Sequence, residues 1–204
     1  MQRIARYHVL GEVPGAKEIW IVLHGYGQLA RYFLNNFEGL QEGRCIVAPE
    51  GLSRFYLDAE HARVGATWMT REDRLHEIED HIAYLDTLCD ELKSLANKDV
   101  RINALGFSQG VATASRWCAQ GRTKLHTLVL WAGSIPPEFD RDALAQWKIN
   151  EVHTVLGDKD DYAEPAELDK QTLRFEAAEL KVTKHLFQGG HKLDQVVLKK
   201  VIGA

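Results

Sequence analysis

Short, unbroken apolar runs alternate along this chain with longer stretches in which apolar positions recur at steps of three and four. EIWIVL at 18–23, LHTLVLWA at 125–132 and NEVHTVLG at 150–157 are rich in β-branched and aromatic residues. Each reads as a strand buried on both faces. Residues 43–48 (a run stopped by Pro49), VRINAL at 100–105 and VTKHLF at 182–187 read the same way. RIARYHV at 3–9 alternates weakly and suits an edge strand. QLARYFLNNFEGL reads as a helix, and Leu75, Ile78, Ile82, Leu85, Leu88, Leu92 and Leu95 share one face of a longer one. Further helices are expected after the 100–105 strand, around 164–180 and over 191–202. Residues 49–71 follow neither period and hold Phe55, Tyr56 and Trp68. A loop of that length in a compact domain is more often functional than idle. Strand–helix alternation throughout predicts an α/β fold, a doubly wound, mostly parallel sheet with helices on both faces. No repeat or linker interrupts it, so residues 1–204 are expected to form a single domain.

Composition narrows the partners more than the fold. Net charge is −4 and the pI about 6.1, and no Lys/Arg cluster offers a nucleic acid or an anionic membrane a footprint. Lys199–Lys200 and Arg71/Arg74 read as solvated faces. Cys45, Cys89 and Cys118 are odd in number, far apart and without zinc spacing. They imply a reducing compartment, no metal and no disulfide framework. The N-terminal residues lack the pattern of a signal peptide, and no apolar run approaches a membrane span. The expectation is a cytoplasmic protein with no cofactor, no nucleic-acid partner and no membrane span, for which a homodimer stays open.

Candidate chemistry sits where a parallel sheet would place it. Ligands of such sheets bind outside the carboxyl ends of the strands. His24-Gly25-Tyr26-Gly27, Ser108, the aspartates Asp158, Asp160 and Asp161, and His191 each follow an expected strand. Gly106-Phe107-Ser108-Gln109-Gly110 is a Gly-x-Ser-x-Gly stretch between a strand and a helix. Such a turn is sharp and strained, lifts the serine above the sheet edge, and needs small flanking residues. Serine needs a histidine base held by an acid. His24, His126 and His153 fall in or at the ends of strands, and His61, His76 and His81 on the long loop and helix. His191, in FQGGHKL, falls on a loop able to carry an imidazole over the sheet edge. The acid is expected between serine and histidine, in LGDKDD. Composition does not rank its three aspartates, and Asp160 is taken first. The oxyanion needs two donors, expected to be the backbone N–H groups of Gln109 and of Tyr26 in LHGYG. His24 is expected to tie that loop by hydrogen bonds. Trp68 and Phe107 are candidate acyl-site walls.

Taken together, LHGYG, APEG, GATWM, GFSQG, LGDKDD and GGH resemble, in order and over nearly the whole chain, the phospholipase/carboxylesterase family of the α/β-hydrolase superfamily, which includes acyl-protein thioesterases. The resemblance implies the α/β-hydrolase fold without a cap domain, hydrolysis without metal, an acid at Asp160, and oxyanion donors at Tyr26 and Gln109. Two features differ from related patterns. Asp161 stands where the family often has proline, and Ser108 stands where dienelactone hydrolases have cysteine. The implied function is a serine carboxylesterase acting on small or short-chain esters, with an acyl site built from residues 49–71 and 132–147. A thioesterase or lysophospholipase needs a long aliphatic groove that the sequence does not display. A non-catalytic binding protein has no need of the complete set of residues.

Overall fold

The computed structural model describes residues 4–203. The chain runs through β1 (Tyr7–Leu10), β2 (Glu18–Leu23), α1 (Ala30–Leu34), β3 (Arg44–Pro49), β4 (Ser53–Tyr56) and β5 (Val64–Thr67). It continues through α2 (Arg74–Leu95), β6 (Arg101–Phe107), α3 (Gln109–Gln120), β7 (Thr127–Trp131), α4 (Arg141–Ala145), β8 (Glu151–Gly157), α5 (Pro165–Ala177), β9 (Val182–Phe187) and α6 (Gln195–Ile202). The main sheet has the order β1-β3-β2-β6-β7-β8-β9. β1 runs antiparallel to β3, and the remaining pairings are parallel.

Alternate residues of each central strand feed two separate cores, as the pleat requires. Ile19, Ile21 and Leu23 of β2 join one with Leu85 and Leu88 of α2 and Val111, Ala114 and Trp117 of α3. Trp20 and Val22 join the other with Phe33 of α1 and Leu198 and Val201 of α6. The sheet is therefore covered on both faces, as its unbroken apolar runs predict.

Several boundaries differ from the sequence expectation. The expected strand at 3–9 begins on Arg3, outside the described residues, and β1 starts at Tyr7. The helix expected over QLARYFLNNFEGL is short: α1 passes at Asn35 into a single 3-10 turn. Within residues 49–71, β4 pairs antiparallel with β5 as a hairpin. The closing helix starts at Gln195, because the Asp194 carboxylate caps the Val196 and Val197 N–H groups. His191 therefore lies in a loop ahead of that helix.

Candidate active site

β6 turns into α3 at Ser108, whose φ of 53° and ψ of −115° are strained for a residue with a side chain. The surroundings hold it there. Its N–H donates to Trp131 O at 2.8 Å, and its carbonyl accepts from Val111 N–H at 3.0 Å. A Cβ on Gly106 would lie 2.3 Å from Gly110 O, and one on Gly110 would lie 2.3 Å from Leu23 O. Both glycines of the stretch are thus required by backbone crossing at van der Waals contact, which no L side chain permits.

The loops after β8 and β9 are braided. Asp158 N–H donates to Phe187 O at 2.8 Å, Lys159 N–H donates to Gly189 O at 2.9 Å, and Gly189 N–H donates to Asp158 Oδ1 at 2.9 Å. A Cβ on Gly157 would sit 2.3 Å from Gly189 O, so the braid needs glycine there as well. The braid brings His191 Nδ1 to 2.8 Å from Asp160 Oδ2 and 3.1 Å from Oδ1. Asp160 Oδ1 also accepts the Tyr162 N–H at 2.9 Å. The Asp160 side chain is fully covered, whereas that of His191 keeps 18% of its surface exposed. A carboxylate accepts only, so Nδ1 carries the proton and Nε2 is left as the base. The rings of Phe107 and Tyr162 flank the imidazole at 4.9 and 4.6 Å between centroids. Of the three candidate aspartates, Asp160 is the one that meets the histidine. Asp158 is engaged with Gly189, and Asp161 is exposed.

The third side is the loop after β2. His24 is buried and carries two hydrogen bonds. Gly51 N–H donates to its Nε2 at 2.9 Å, so Nδ1 holds the proton and donates to Gly25 O at 2.8 Å. Burial lowers its pKa, in keeping with a neutral ring that ties the loop. Gln28 Oε1 accepts the Gly25 N–H at 2.8 Å. A Cβ on Gly25 would lie 3.2 Å from Ser108 Cβ, so this loop rests against the serine. Among the described residues, neither the Tyr26 N–H nor the Gln109 N–H has an acceptor. Gln109 opens α3, where amides have no intrahelical partner.

Two expectations change on burial. Trp68 is 2% exposed. Its indole N–H donates to His24 O at 2.9 Å, and its ring lies 5.1 Å from the His24 ring. It supports the loop from beneath and offers no open face to an acyl group. Phe107 is 4% exposed and packs between His191 and Phe33. The side chain of Gln109 has a part that the sequence does not display. Its Oε1 accepts the Trp68 N–H at 3.2 Å and its Nε2 donates to Met69 O at 3.0 Å, pinning the residues after β5 to the serine turn. From the far side, the buried Arg116 donates to Glu138 at 2.6 Å and approaches Met69 Sδ at 3.4 Å, joining residues 132–147 to the same strap. A cleft of about 500 Å³ opens beside Gly27 and Gln28, with Phe33, Leu57 and Val64 in its walls.

Among the described residues no group of three or more His, Cys, Asp or Glu has metal-binding geometry, and no helix is long and apolar enough to cross a membrane.

No family model and no curated protein matches the chain. Solved structures do. The chain is similar to esterase PE8, with a TM-score of 0.72 and 22% identity over 98% of this chain and 96% of that one. It is similar to Zea mays acyl-protein thioesterase 2, with a TM-score of 0.73 and 18% identity over 98% and 97%. It is also similar to a Bacillus cereus carboxylesterase, with a TM-score of 0.73 and 17% identity over 98% and 92%. At these identities the likeness establishes the architecture: the chain has the α/β-hydrolase fold.

Proposed function

We propose that the protein is a serine carboxylesterase that hydrolyses small or short-chain esters. The observation that carries this reading is the Asp160–His191 pair, whose imidazole packs on Phe107, the residue before Ser108 and its strained turn. In this reading Ser108 Oγ attacks the ester carbonyl while His191 Nε2 takes the hydroxyl proton. The tetrahedral oxyanion rests on the N–H groups of Tyr26 and Gln109. The C–O bond then breaks, and His191 returns the proton to the leaving alcohol. Water attacks the acyl-enzyme by the same route, releasing the acid and restoring Ser108. Asp160 keeps the imidazole in its Nδ1–H form and balances the imidazolium charge.

The fold shared with esterases and a thioesterase agrees with hydrolysis of an acyl bond and is silent on the acyl group. The open cleft and the lack of any inserted cap element among the described residues favour a short acyl chain. The free cysteines suit a reducing, cytoplasmic setting.

A fluorophosphonate probe tests the chemistry directly. The parent should label at Ser108 and Ser108→Ala should not; an unlabelled parent overturns the reading. Across p-nitrophenyl esters of rising chain length, rates should peak at short acyl chains. An optimum at about eight carbons or more removes the short-chain assignment and favours a thioesterase or lysophospholipase.

A further inference from the structure

The cleft beside the oxyanion loop has an unusual charge. Arg31 of α1 and Arg63, just ahead of β5, line it, and no Asp or Glu does. That is a local departure in a chain with 29 acidic and 25 basic residues. Arg31 donates to Tyr32 Oη at 2.6 Å and lies 4.4 Å over the Tyr32 ring, which uses one of its five N–H groups. Among the described residues the Arg63 side chain makes no hydrogen bond or ion pair. Its backbone is nonetheless fixed. Leu57 N–H donates to Arg63 O at 2.8 Å, closing the hairpin, and Asp58 Oδ1 is occupied by the Ala62 N–H at 2.8 Å.

The cleft also lies within reach of the chemistry. Gln28 is part of its wall and accepts the Gly25 N–H, and Gly25 abuts Ser108. Phe33, another wall, packs on Phe107, the residue before the serine. An ester held at Ser108 can therefore extend past Gly27 into a space that offers two guanidiniums and no competing carboxylate. A guanidinium presents paired donors that match a carboxylate, and no acid in the cleft wall competes for them.

We propose that this cleft binds a carboxylate carried by the substrate, so that the enzyme is selective for esters of short acids or alcohols bearing a second, ionised carboxyl group. This rests on the serine esterase reading above. Arg63 supplies the main contact and Arg31 the second.

The test compares matched ester pairs. On the acyl side, p-nitrophenyl butyrate is set against mono-p-nitrophenyl succinate. On the alcohol side, propyl acetate is set against O-acetylglycolate, followed by acid release. In one of the two pairs the anionic ester should have a kcat/KM about tenfold or more above its neutral partner, mainly through KM. That preference should shrink as salt is raised. In Arg63→Gln the ratio should collapse toward one, and in Arg63→Glu it should invert; the ratio cancels any general change in activity. A parent with equal or lower kcat/KM for both anionic esters overturns the inference, as does an Arg63→Gln ratio equal to that of the parent. Fluorophosphonate labelling of Ser108 separates the two failures: a labelled enzyme without anion preference loses this inference alone, whereas an unlabelled one loses the esterase reading.

Discussion

The indole N–H of Trp68 donates to the carbonyl of His24 at 2.9 Å, beneath the loop that carries Tyr26. The two rings lie 5.1 Å apart, and both residues are buried. A loop with Gly25 and Gly27 within it has little stiffness of its own, so its shape comes from such anchors. Trp68→Phe removes the donor and leaves a buried carbonyl unpaired. We expect a loss of about 1–3 kcal/mol in unfolding free energy. We also expect kcat to fall with little change in KM, because in the proposed mechanism the loop's amide serves the transition state. Urea denaturation and steady-state ester hydrolysis measure the two effects. An unchanged kcat in a destabilised variant would show that Trp68 supports the fold without positioning the loop.

Gln109 makes a similar case from its side chain. Its amide joins Trp68 N–H and Met69 O to the turn of Ser108, while its own backbone N–H has no acceptor among the described residues. Gln109→Leu keeps the backbone donor and loses the strap. A drop of about 10- to 100-fold in kcat/KM is expected, on the scale of one or two lost hydrogen bonds. Residual activity well above that of Ser108→Ala should remain, since the proposed nucleophile, Ser108, and its proposed base, His191, are untouched.

The three aspartates after β8 give a discriminating series. The Asp160 side chain is covered and bonded to His191, Asp158 accepts from Gly189, and Asp161 is exposed. Asp160→Asn should lower kcat by about 10⁴ through loss of the required tautomer. Asp161→Asn should stay within about threefold, as surface changes generally do. Asp161→Asn with the larger loss would move the acid by one residue.

Much of this arrangement is legible in the sequence, and the illegible part has a physical pattern. β2, β7 and β8 are covered on both faces, so burial writes them as unbroken apolar runs. The glycines around Ser108 are legible because a backbone crossing excludes every other residue. The hairpin of β4 and β5 is hidden, since β4 alternates half-covered Ser53 and Phe55 with exposed Arg54 and Tyr56. Trp68 reads as a pocket wall because composition shows an aromatic in a long loop but not the distant His24 carbonyl that claims its N–H. The Gln109 amide is invisible for the same reason: its partners lie about 40 residues away, and no local period encodes them. The ranking of Asp160 over its neighbours likewise depends on the braid between two loops, although Gly189 and Gly190 in the sequence are a sign that backbone passes closely there.

Gly110 tests the crossing itself. Its neighbour on that side is Leu23 O, 2.3 Å from where a Cβ would stand, whereas a Cβ on Gly190 would meet Lys159 O at an ordinary 3.4 Å. Gly110→Ala must push apart β2 and the serine turn, an overpacking cost of about 1–3 kcal/mol or more. For a chain of this size that corresponds to a fall in Tm of at least about 2–4 °C per kcal/mol. Gly190→Ala should leave Tm within about 2 °C on the same scale. Equal melting of the two variants would show that the turn can relax without its glycine.

His81 sets a pH dependence of stability. It lies in the interior on α2, edge-on to Trp68 at 6.4 Å, and burial pushes its pKa from 6.5 down to about 4. The unfolded chain takes up a proton below about 6.5, while the folded chain refuses it until about 4. The contribution of this group is therefore complete above pH 6.5 and is lost as pH falls through that window, with no further loss below it. Each pH unit within the window costs about 1.4 kcal/mol. Burial also lowers His24, His153 and His185, so their losses add on the same side. Asp86 behaves differently. Burial alone would raise it, but hydrogen bonds from Arg122, Trp117 and Thr123 outweigh that and hold it below the ordinary carboxylate value, so its window lies at lower pH. Between pH 7 and pH 5 the parent should lose about 2 kcal/mol more unfolding free energy than His81→Leu. Guanidinium denaturation of both proteins at the two pH values reads the difference. Parallel losses would mean that His81 is protonated in the folded state as readily as in the unfolded one.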